Sequence, residues 1–407
     1  MVRVAERFAW THGEKQVIVQ QENLGLRKHI LFCGELASRY DGVILLEDDL
    51  YVSPSYYQYA QKAAQYYREA PEISGIALYS PRFNECARLP FYPLDDGFDV
   101  FFMQVACSWG QLWLKRQWDE FALWYAENAD RALAGDQALP YEIRQWPDSS
   151  WKKYFIKFMV EKDKYFVYPR QSFTTNFGDL GRHHTGTLLY QVPLFYGENW
   201  RNINFIDYSD SLIKYDSFGE ILPSSLQLLC PKLNAIDFVV DLYGIKETHC
   251  YVKEHVITSK KCNGAIASYG KYLKPIECNI FENIPGDDLF LTTPERICDL
   301  EETDFHIYIY TKCADIEEQK YFYNISDLHY FLLQKEIKKY KALSEIAEKK
   351  AQELNRGLKK TAVELANTRK KLADAEKSVD LVRKSTSYRI GNALVLPLSC
   401  LKGKKKS

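Results

Sequence analysis

Val43-Ile44-Leu45-Leu46-Glu47-Asp48-Asp49 sets four consecutive apolar residues directly before three carboxylates. An apolar run of that length without alternation is expected to be a strand covered on both faces of a mainly parallel sheet. Upstream, β-branched residues 16–20 suggest an earlier strand, and a turn at Asn23 leads into a helical pattern through Leu31, Leu36 and Ala37 that Asp41-Gly42 breaks. Downstream, Ser53 can cap a helix whose first turn takes Pro54, with Tyr56, Tyr59, Ala60, Ala63 and Tyr67 spaced to face a core and Pro71 closing it. Strand, helix, strand, helix is the alternation of an α/β sheet, whose ligands bind beyond the carboxyl ends of the strands. The triplet therefore falls where a ligand is expected.

The chain of 407 residues, 46% hydrophobic, can bury a sizeable core in two or three units. Its formal net charge of −1 provides no global field for nucleic acid, and no nucleic-acid partner is expected. The 14% aromatic content, with 29 Tyr and 8 Trp, suits stacking on sugar rings or bases and equally a Tyr-rich core. Ten cysteines without a Cys-x-x-Cys pair, and no charged and apolar leader, lead to the expectation of a reducing cytoplasm. No stretch reaches the roughly 18 apolar residues that span a bilayer. From about residue 206, short runs such as 236–243 and 305–310 suggest a smaller β-rich domain without a catalytic signature. Farther on, Ala351, Leu358, Leu365, Leu372 and Val379 on one seam and Leu354, Thr361, Thr368, Ala375 and Val382 on the other count five heptads of a coiled coil. The expected organisation is thus 1–205 α/β, 206–325 β-rich, 326–385 coiled-coil helix and 386–407 an apolar and polybasic tail.

Three adjacent carboxylates repel one another and are costly to desolvate unless a cation or solvent offsets them. A hard divalent ion is one explanation, and it suits transfer of a sugar from a nucleotide diphosphate, whose departing charge a Lewis acid stabilises. A solvated acidic loop is the other.

The run from Asn23 to Arg27, a helix, then Leu45-Leu46-Glu47-Asp48-Asp49-Leu50 and Ser53-Pro54 followed by Tyr56-Tyr57 resembles the N-acetylglucosaminyltransferase I group and its bacterial relatives among family 2-like glycosyltransferases. The resemblance implies a GT-A, Rossmann-like nucleotide-sugar domain and a Mn2+ or Mg2+ ion held by Asp49. It places Asn23 and Arg27 on the donor, and has Glu47 and Asp48 contact donor sugar and ribose or hold the loop. Ser108 to Trp113 is similar to the segment bordering the acceptor, which implicates Trp109 and Trp113. Residues 169–186 are similar to a later Gly-rich loop whose His completes metal or diphosphate binding. Spacing from Phe177-Gly178 favours His184 over His183, and ordinary packing histidines would look the same.

An inverting transferase also needs a base for the acceptor hydroxyl. Where the relatives place an acid before Trp, this chain has Ser150-Trp151, so Asp148 is the candidate, with Asp136 as alternative; either could cap a helix. The resemblance covers residues 1–190 and lacks the family's first β-α unit, which grips the base; a start farther upstream or a fragment would account for that. The tail, with Leu394 to Leu398 followed by Lys402, Lys404, Lys405 and Lys406, resembles endings of bacterial polysaccharide glycosyltransferases. Each Lys would add about 1 kcal/mol at an anionic membrane surface, on the inner face of the cell membrane. The expected partners are a nucleotide-diphosphate sugar, a glycan or lipid-linked glycan acceptor, and a second copy through the coiled coil. An inactive assembly component and a metal-dependent nucleotidyltransferase are the alternative readings.

Overall fold

The computed structural model describes residues 2–177, 190–197, 202–298, 362–388 and 390, and the chain divides into two compact units, Met1–Ile297 and Cys298–Ser407. In the first unit, helices α1 (Val2–Arg7), α2 (Gly25–Gly34) and α3 (Ala37–Tyr40) precede strand β1 (Gly42–Leu45). Asp41 stops α3 in the left-handed region at φ 64°, so the break expected at Asp41-Gly42 is there. After the acidic triplet come β2 (Leu50–Val52), α4 (Tyr56–Tyr66), β3 (Ile73–Ala77), the hairpin β4 (Phe83–Asn84) and β5 (Leu89–Pro90), and β6 (Val100–Met103). The chain continues through β7 (Gln111–Leu114), α5 (Lys115–Asn128), α6 (Tyr141–Arg144), α7 (Trp151–Lys162), β8 (Tyr165–Pro169), β9 (Thr174–Asn176) and β10 (Lys214–Tyr215).

Six of these strands form the central sheet in the order β1-β7-β3-β8-β6-β10. The fold is mixed α/β with a central sheet that contains parallel pairs, an architecture compatible with a Rossmann-like fold. Three expectations need correction. The sheet is not mainly parallel: β3 with β8 and β6 with β10 run parallel, whereas β1 with β7, β3 with β7 and β6 with β8 run antiparallel. β1 is an edge strand with three of its four residues only half-buried, not a strand covered on both faces. Residues 16–20 form no strand and are mostly exposed. The segment pairs with no strand among the described residues, although the edge of β1 is free, and its exposure leaves its peptide groups to water.

The apolar stripe of α4 packs as its spacing implies, with Tyr59, Ala60, Ala63 and Tyr67 buried and Tyr59 stacked on Phe173 at 4.3 Å. Its start differs in detail. Ser53 Oγ accepts from the Ser55 amide at 3.1 Å in a turn that precedes the helix, and α4 opens at Tyr56. Trp113, Trp118, Tyr59, Tyr67 and Tyr215 are among the largest fully buried side chains, so much of the aromatic content builds the core.

Residues 214–215 extend the central sheet before the chain turns to α8 (Pro223–Leu229), β11 (Phe238–Asp241), β12 (His255–Thr258), β13 (Ala267–Tyr269), α9 (Cys278–Phe281) and β14 (Leu289–Thr292). These strands form a second sheet in the order β11-β12-β14-β13, with β11 and β12 parallel. It lies within the same compact unit as the central sheet. Buried charges tie the two: Lys246 bonds Asp216 Oδ2 at 2.5 Å, Glu220 accepts from the Tyr243 amide at 2.7 Å, and Asp241 accepts from the Lys246 amide at 2.9 Å.

In the second unit the described helix is α10 (Ala362–Lys384). It covers part of the expected heptad region; residues 305–310 and the Lys-rich end of the tail lie outside the described residues. Among the described residues no helix is long and apolar enough to cross a membrane.

Candidate active site

The acidic turn is shaped by its two flanking strands. β1 ends at Leu45, and the Leu50 amide returns to the Glu47 carbonyl at 3.3 Å as β2 begins. β2 pairs antiparallel with β9, setting Leu50 opposite Asn176 and Val52 opposite Thr174. Gly110 passes close to this ribbon with φ 88°. A Cβ there would come within 2.7 Å of Thr174 Cγ2 and 3.3 Å of Leu46 Cδ2, so both the conformation and the space call for glycine. Thr174 Oγ1 donates to the Trp109 carbonyl at 2.5 Å, which fixes Trp109 near the turn.

Within the triplet, Asp48 and Asp49 are exposed and Glu47 is half-buried. The Glu47 carboxyl is raised from 4.5 to about 7, chiefly by burial and then by the charges of Asp49 and Asp48, while Lys152 opposes the rise. Lys152 lies in the first turn of α7 and is itself buried. Its amine meets both carboxylate oxygens of Glu85 at 3.0 Å and sits over the rings of Trp146 at 5.1 Å and Trp109 at 5.6 Å. Tyr79, Glu85, Trp109, Trp146 and Lys152 line a cavity of about 40 Å³, room for roughly two or three waters. Trp109 packs between Tyr79 at 4.9 Å and Tyr190 at 4.8 Å.

The other expected site residues fall in varied places. Asn23 is exposed and its Oδ1 accepts from the Gly25 amide at 2.8 Å, so it shapes the entry to α2. Arg27 lies 4.9 Å above the Tyr154 ring, packed on α7. Trp113 requires a correction: it is fully buried against Trp118, Trp151 and Phe155 and offers no surface to an acceptor, because its position in β7 points into the layer of α5 and α7. Asp148 has a side chain 77% exposed and 3.7 Å from Lys153, and Ser150, not Asp148, caps α7 by accepting from the Lys153 amide. Asp136 is engaged by Lys157 at 2.8 Å and Arg131 at 2.9 Å and accepts from the Ala138 amide. That is a structural role. His183 and His184 lie outside the described residues.

The oxygens near the turn can be compared with the needs of a hard divalent cation. Asp48 and Asp49 present exposed carboxylates, and Asn176, opposite Leu50 on the neighbouring strand, is buried with an Oδ1 that has no donor. Such an oxygen set suits Mn2+ or Mg2+. Among the described residues no three His, Cys, Asp or Glu side chains converge as a metal-binding group.

Glu85, Lys152, Trp146 and Tyr79 were not evident in the sequence. Three lysines in the otherwise apolar 151–159 stretch were the one available signal, since a lysine inside an apolar helix needs an internal partner. Glu85 carries no local signal: its partner lies 67 residues away. No protein-family model matches the chain, and no curated protein shows significant similarity to it.

Proposed function

We propose that this protein is a metal-dependent glycosyltransferase of GT-A type that moves a sugar from a nucleotide-diphosphate donor to a glycan or lipid-linked glycan, with inversion, in bacterial surface polysaccharide synthesis. The observation that carries the reading is the pair of exposed carboxylates at the carboxyl end of β1, close to a cavity lined by Trp109 and the Lys152–Glu85 pair. Asp49, with Asp48 beside it, would hold Mn2+ or Mg2+, which supplies positive charge for the departing diphosphate when bound. Glu47 and Asp48 would contact the donor sugar and ribose or hold the loop. Trp109, half-buried between Tyr79 and Tyr190, would border the acceptor.

The test is calorimetry with UDP- and GDP-sugars, with and without Mn2+, on the wild type and on Asp49→Ala. Metal-dependent binding is expected in the wild type and is expected to be lost in the variant, whose melting temperature should be unchanged or higher because one charge has left a repulsive cluster. Unchanged metal-dependent affinity in Asp49→Ala would sink the assignment. Release of pyrophosphate in place of nucleoside diphosphate would favour a nucleotidyltransferase.

A further inference from the structure

Resting on the transferase reading, we propose that Glu85 is the general base that takes the proton from the acceptor hydroxyl, held in place by Lys152. Asp148, which the sequence favours, is largely exposed beside Lys153, whereas Glu85 lines the cavity next to Trp109 and keeps 24% of its side chain accessible. Glu85 stands on a rigid support. It sits in the turn between β4 and β5, where Asn84 Oδ1 accepts from the Cys86 and Ala87 amides at 2.9 and 3.0 Å and Asn84 Nδ2 donates to the Phe218 carbonyl at 2.9 Å.

The pairing with Lys152 positions the carboxylate: by meeting both oxygens at 3.0 Å it fixes their orientation while each oxygen keeps a lone pair for a hydroxyl. The helix that carries Lys152 begins at Trp151, so Glu85 is held at the start of α7 from a different part of the chain.

In the step, the Glu85 carboxylate accepts the proton of the acceptor hydroxyl as the acceptor oxygen forms a bond to the anomeric carbon. The bond from that carbon to the diphosphate oxygen breaks, its electron pair leaves with the nucleoside diphosphate, and the proton on Glu85 passes to solvent. Water in place of the glycan acceptor undergoes the same step, so hydrolysis of the donor reports on the base without knowledge of the acceptor.

The experiment uses the full chain with Mn2+ and a set of UDP- and GDP-sugars, and measures nucleoside diphosphate release together with donor affinity. Glu85→Gln is expected to lower kcat about 100-fold or more with donor affinity within about threefold of wild type. A structural role alone makes a different forecast. If Glu85 served only to neutralise Lys152, the double variant Glu85→Gln/Lys152→Met would recover wild-type kcat; as a base, Glu85 leaves the double variant as slow as the single one. Glu85→Gln retaining kcat within threefold, or recovery in the double variant, overturns the role while leaving the transferase reading intact. A wild type that neither binds nor turns over any of these donors overturns the transferase reading, and the role with it.

Discussion

Glu47 shows how one side chain registers the cost of assembling the site. Burial, with Asp49 and Asp48 beside it, raises its carboxyl from 4.5 to about 7, so the folded chain holds this proton more tightly than the unfolded one. The sign follows: the stabilising contribution is fully present below about 4.5 and is lost as pH rises through about 7. Glu47→Gln should therefore stabilise the apo protein at pH 8 by on the order of 1–3 kcal/mol and change little at pH 4.5, as read from urea midpoints. Equal effects at both pH values would refute the linkage. The triplet was legible in sequence because its three carboxylates are adjacent. Trp113, four residues after Trp109, carries the same residue type into the core, and no local signal separates the two.

At the level of elements, α7 holds the site in register. Lys153, only 1% exposed, donates to the carbonyls of Arg144 and Trp146, both at 2.9 Å, and so clamps the loop that brings Trp146 to the cavity. Lys153→Met should strand both carbonyls, cost roughly 1–3 kcal/mol and speed proteolysis between residues 145 and 150. An unchanged melting temperature and cleavage rate would show that the clamp is dispensable. The stripe of α4 could be read from its spacing because one helix face against one sheet is a periodic arrangement. α7 could not be read in that way: Trp151 to Met159 are all buried, so no polar face gives it a period, and its lysines are satisfied only by distant groups.

For the whole molecule, α10 displays Leu372 and Val379, two of the heptad seam residues, at 65% and 47% exposure, as a helix awaiting a partner would. We propose that residues 351–382 self-associate, with moderate strength because two of the five second-seam positions are Thr. Deleting 351–407 should abolish self-association, whereas deleting 386–407 should leave it unchanged and release the protein from anionic vesicles. Light scattering and vesicle sedimentation on the two truncations check this; a full-length chain that stays monomeric at micromolar concentration refutes the pairing.

The acidic end of β1, the break at Asp41-Gly42 and the buried stripe of α4 could be read from the chain alone, because each is written in contiguous residues whose periodicity or adjacency has a direct physical meaning. Strand direction, the failure of residues 16–20 to form a strand, and the meeting of Glu85 with Lys152 emerged only on folding. Ladder pairing and buried charge pairing are settled by which distant segment supplies the missing hydrogen bond or countercharge, and a residue's own neighbours in sequence do not encode that partner.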